Sequence, residues 1–175
     1  PTSEEAHRYA GTAALRLHRL DEAEAEFAQL LDTAYISPAA GFIALLPVIG
    51  DEAIPTDVTE LLRRLVARHP RVAEGQFALA HAALRSENFA LALASAEQAA
   101  ALAPYWAPAR LVLARATIAS GKEEEGLAIA RDLVTAPDSD IPTQLEYALM
   151  LAATGRDEEA RAMLTPYATG ETVIP

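Results

Sequence analysis

Small residues recur at a fixed distance along this chain, and that spacing limits its fold more than any other feature. Gly11, Ala80, Ala114 and Ala148 form one series, in which the last two intervals are 34 residues and the first, 69, is one step of 34 plus one of 35. A second series lies twelve residues further on, at Ala23, Ala92, Gly126 and Ala160, and apolar residues such as Phe27 and Leu30 follow four and seven later. Self-similarity at this period marks stacked helical hairpins, each too small to bury its apolar face except against its neighbour. A short side chain at a helix crossing lets two backbones approach, and larger neighbours fill the gaps. The spacing predicts an all-α solenoid of about five hairpins.

Composition agrees. Alanine, the strongest helix former, supplies 40 of the 175 residues, and aromatics only 6%. Cysteine is absent, which excludes disulfides, thiolate zinc sites and a cysteine nucleophile. The net charge of −11 repels phosphate backbones, so nucleic acid is not an expected partner. No apolar run approaches the ~20 residues of a membrane span, and no signal-peptide pattern is visible. The chain opens at Pro1 without Met and stops at Pro175, and reads as a piece of a longer repeat protein.

The units are expected at 4–37, 38–72, 73–106, 107–140 and 141–175, each with helices A and B. The third is the cleanest: helix A over 72–85, a turn at Ser86–Asn88, and helix B over 89–102 stopped by Pro104. Gly121 and Gly155 are placed to close A helices in the left-handed conformation, and Pro108 and Pro142 to open them. In the second unit Pro47 and Pro55 predict a short helix A near 38–48, a longer loop, and helix B at 56–69.

Acidic runs open three B helices, at Asp21–Glu24, Glu123–Glu125 and Asp157–Glu159, where carboxylates complement the helix dipole. A solvated helix start explains them better than metal binding. The four histidines, His7, His18, His69 and His81, show no Glu-x-x-His spacing. His69 sits at a helix end. His81 is either a polar filler or a group that changes charge near neutral pH. No Gly-x-Ser-x-Gly, phosphate loop or dinucleotide fingerprint occurs. The segment reads as no enzyme, with no metal and no cofactor.

The pattern resembles the tetratricopeptide repeat (TPR). That motif expects small residues at unit positions eight and twenty, a bulky one at twenty-four, Ala at twenty-seven and Pro near thirty-two. The third unit supplies Ala80, Ala92, Ala96, Ala99 and Pro104; the first supplies Gly11, Ala23, Phe27 and Leu30, with Tyr35 in place of Pro. The aromatic expected at position four is replaced by His7, Gln76, Arg110 and Gln144. The resemblance implies a right-handed solenoid whose A helices line a concave groove which binds a protein or peptide. Its inward positions carry Arg8, Arg16, Phe42, Leu46, Phe77, His81, Arg85, Leu111, Arg115, Ile118, Leu145 and Leu149, an apolar strip with scattered arginines. The carboxylate clamp of chaperone-binding TPR domains is missing, because Arg8 alone suits it among Arg8, Thr12, Ile43, Glu74 and Ala78.

A narrower likeness covers Gln76–Leu84, Ala90–Trp106 and Gln144–Met150. These stretches are similar to gammaproteobacterial TPR lipoproteins that serve as adaptors for a periplasmic carboxyl-terminal processing protease. That likeness implies a periplasmic adaptor bringing substrates to a protease, anchored at the outer membrane through an N-terminal part outside this sequence; without it, a cytoplasmic place is equally open. The alternative is a structural segment that self-associates through its end hairpins.

Overall fold

The computed structural model describes residues 3–32, 37–50 and 55–168. Among them lie ten α-helices: α1 Ser3–Arg16, α2 Leu20–Asp32, α3 Pro38–Ile49, α4 Pro55–Arg68, α5 Ala73–Arg85, α6 Phe89–Leu102, α7 Ala107–Ala119, α8 Glu123–Val134, α9 Ile141–Ala153 and α10 Asp157–Ala168. They pair in chain order into five hairpins of a TPR-like solenoid. Tyr35, the 51–54 part of the expected loop and the end of the fifth unit lie outside the described residues.

Four hairpin turns share one geometry. His18, Glu87, Gly121 and Gly155 all have positive φ, from 56° to 86°. The residue after each sends its N–H back to a carbonyl of the A helix: Arg19 to Ala14 at 2.8 Å, Asn88 to Ala83 at 2.9 Å, Lys122 to Thr117 at 3.1 Å and Arg156 to Leu151 at 2.8 Å. This satisfies carbonyls that a helix end would leave open. Two of the four left-handed positions carry a side chain where glycine is favoured.

Beyond each turn the two helices are held close by the small pairs Gly11–Ala23, Ala80–Ala92, Ala114–Gly126 and Ala148–Ala160, all eight buried. A further series fixes one hairpin on the next. Gly41, Gly75, Ala109 and Thr143 follow one another at intervals of 34, and all four are buried. A β-carbon on Gly75 would lie 2.8 Å from the Phe42 ring, and one on Gly41 would lie 2.5 Å from Leu31.

The second hairpin breaks the rule. Counting back 34 residues from Ala80 and Ala92 gives Leu46 and Val58, two large side chains where the other hairpins have small ones. Accordingly α3 and α4 barely touch, and each packs instead on α2 and α5. A bulky cluster that includes Leu45, Val58, Leu61, Leu62 and Leu65 fills the space. Ion pairs tie this hairpin to the first. Arg64 reaches Asp21 at 2.9 Å and Glu24 at 3.1 Å while also holding Glu60 at 2.8 Å, and Arg68 pairs with Asp32 at 2.9 Å.

Candidate groove between the A helices

The A helices α3, α5, α7 and α9 pack side by side, α3 on α5, α5 on α7 and α7 on α9. Their shared face carries two adjoining cavities. The larger, about 450 Å³, is lined by Leu84, Arg85 and Phe89 on one side, Arg115, Ile118 and Ala119 in the middle, and Glu146, Leu149, Met150 and Ala153 on the other. The smaller, about 230 Å³, has Phe77, His81, Leu111, Val112 and Pro142 among its walls. Arg115 and Glu146 belong to both. They face each other from α7 and α9 at 3.9 Å, each about 40% exposed, a long and accessible ion pair.

Seven of the sequence-derived groove residues therefore meet here: Phe77, His81, Arg85, Leu111, Arg115, Ile118 and Leu149. Phe77 and Leu111 form the floor, at 8% and 9% exposure, whereas Leu149 stands out at 54% and Leu145, elsewhere on α9, at 46%. The Phe77 ring is wedged against His81, with centroids 4.5 Å apart, and against Trp106 at 4.9 Å. Burial, with the nearby charge of Arg115, pushes the His81 imidazole down to about 4. His81 is thus a neutral side chain near pH 7 and not a charge switch there. Arg85 donates to the Ile49 carbonyl, which moors α5 to the end of α3.

Phe42 and Leu46 are not where the sequence reading placed them. The extra residue of the 35-residue step lies before Gly41, not at the end of the second unit, so the inward positions there belong to Ile43 and Pro47. One residue rotates a helical side chain by about 100°. Phe42 is consequently fully buried and Ile43 is 41% exposed. Leu46 is half-buried between two core clusters. Arg8 and Arg16 lie on α1, which pairs with α2, and neither lines the two cavities; the Arg8 guanidinium sits 4.9 Å from the centre of the Tyr9 ring. Glu146 and Phe89 escaped the sequence reading, because each is one residue off the inward positions of the repeat or belongs to a B helix.

Acidic first turns open α2, α8 and α10. Among the described residues no helix is long and apolar enough to cross a membrane, and no group of three or more His, Asp or Glu is placed to hold a metal ion.

No family model matches the chain, and no curated protein matches it significantly. Solved structures do share its fold. TTC0263, a thermophilic TPR protein of Thermus thermophilus, aligns with a TM-score of 0.65 at 20% identity, over 93% of this chain and 88% of that one. A crystal structure of MamA aligns at 0.58 and 19% identity, over 92% and 94% of the two chains. A second MamA structure aligns at 0.57 and 17% identity, over 99% and 98%. At these identities the likeness is one of fold.

Proposed function

We propose that this chain is a non-catalytic scaffold that binds another polypeptide in the groove of α5, α7 and α9. The observation carrying this reading is an accessible apolar strip, Ile118 and Leu149 above a floor of Phe77 and Leu111, on a chain whose net charge is −11. An apolar strip rimmed by charge marks an interaction site more often than chance. The narrower reading, an adaptor presenting substrates to a periplasmic processing protease, draws only on the local resemblance of Gln76–Leu84, Ala90–Trp106 and Gln144–Met150.

The test uses the exposed groove residue Leu149 and not Ile118 or the floor, since Ile118 packs on the core and charge there, at Phe77 or at Leu111 would damage it. Leu149→Glu leaves helicity and cooperative unfolding intact and abolishes partner capture from crosslinked cell envelopes. Capture that survives the change refutes the groove. A second reading, self-association, draws on a cavity of about 600 Å³ on α9 and α10, beside Leu149, Ala152 and Leu164. Sedimentation over a range of concentrations separates the two: mass that rises with concentration and falls in Leu164→Glu favours self-association.

A further inference from the structure

The pattern of the middle helix describes its ligand. On α7, Leu111 opens into the smaller cavity, Ile118 into the larger, and Arg115 stands between them and borders both. These three residues follow the i, i+4, i+7 spacing of one helical face. The two apolar positions are about 10 Å apart at about 1.5 Å of rise per residue. An extended strand places same-face side chains at about 7 and 13 Å and misses that distance. A second helix laid along α7 matches it with its own positions i and i+7.

The charge between the two positions is equally defined. Among the described residues the ion pair of Arg115 is with Glu146, at 3.9 Å with both side chains about 40% exposed, and such a pair contributes little and is easily exchanged. Arg85 borders the same larger cavity, so two guanidiniums and one carboxylate edge it. Asp140 edges the smaller cavity, where its carboxylate accepts the Thr143 N–H at the start of α9. The larger cavity thus has a surplus of positive charge in a chain of net charge −11. Its complement is an acidic side chain on an otherwise apolar face.

We propose that the groove takes an amphipathic helix whose docking face reads apolar, acidic, apolar over two turns, the carboxylate drawing Arg115 away from Glu146. This rests on the groove reading and adds the conformation and chemistry of what it binds.

The experiment is selection of a phage-displayed library of helical peptides on the immobilised full chain, followed by titration of the enriched peptides. The expected result is a shared acidic residue one turn from an apolar residue on each side. Affinity falls about tenfold or more with Arg115→Gln, the usual loss for a charge-assisted contact. It holds or rises with Glu146→Gln, which removes the competitor. Groove-dependent binders that lack the acidic residue, or that ignore Arg115→Gln, overturn this inference and leave the groove standing. Binders that tolerate Leu149→Glu, or a selection that enriches nothing, overturn both.

Discussion

Gly126 lies so close beneath Ala114 that a β-carbon on it would sit 2.6 Å from the Ala114 carbonyl oxygen. The Ile118 side chain would be equally near, at 2.6 Å, so neither backbone nor neighbour leaves room. Gly126→Ala is therefore expected to destabilise the protein by about 1–2 kcal/mol: overpacking costs up to about 3 kcal/mol, and the better helix propensity of alanine returns up to about 1. Urea unfolding followed by circular dichroism gives the sign. A variant as stable as the parent would show that the small pairs do not set the helix spacing.

The turns predict the opposite sign. Glu87 holds a φ of 57° in a position that its counterparts fill with Gly121 and Gly155. Glu87→Gly is expected to gain about 0.5–1 kcal/mol, and Gly121→Ala to lose about 1. The same unfolding measurement reads both, and a loss in Glu87→Gly contradicts the argument.

His81 gives the fold a pH dependence. Its imidazole is held at about 4 in the folded chain, first by burial and then by Arg115, against 6.5 for an ordinary histidine. The unfolded chain therefore binds a proton that the folded one refuses over that window. The stability in question is fully present above about 6.5 and is lost as the pH falls toward about 4, to an extent of up to about 3 kcal/mol. Comparing urea midpoints of the parent and His81→Leu at pH about 7 and about 4.5 isolates this share. Equal pH slopes in the two proteins would remove His81 from the account.

Arg64 joins two hairpins that share few small contacts. It bonds Glu60, Glu24 and Asp21, and those carboxylates raise its own affinity for a proton. The paired Glu60 is drawn down to about 2 by Arg63 and Arg64. Arg64→Met is expected to destabilise the N-terminal hairpins modestly, an effect that shrinks in high salt. Hydrogen exchange of α2 and α4 locates the loss. Unchanged protection there would show that the apolar cluster alone holds them.

The hairpins were readable from the sequence because a repeat states its packing rule several times. The small residues, the turn glycines and the helix-opening prolines each recur at the same place in the period, so the third hairpin's boundaries could be set to within a residue. The second hairpin states the rule once and differently. With Leu46 and Val58 in place of small residues, nothing in its local sequence marks where the extra residue of the period falls, and a shift of one residue exchanges buried Phe42 for exposed Ile43 on the inward face. The groove was legible on α5, α7 and α9 for the same reason that their hairpins were. The Arg115–Glu146 pair was not, because it joins residues on separate helices whose relation depends on how one hairpin tilts on the next.

The displaced residue in the first period carries a lesson about change in such a chain. It falls between Ala23 and Gly41, a stretch that includes the connection of two helices, and the small residues on either side still do their work. Insertions and deletions are thus tolerable where the chain turns, whereas one residue gained or lost inside a helix would swing every later side chain of that helix off its neighbour. Whole hairpins can be duplicated or lost between such points. Lineages of this architecture should vary in number of hairpins and in turn length far more than in helix length.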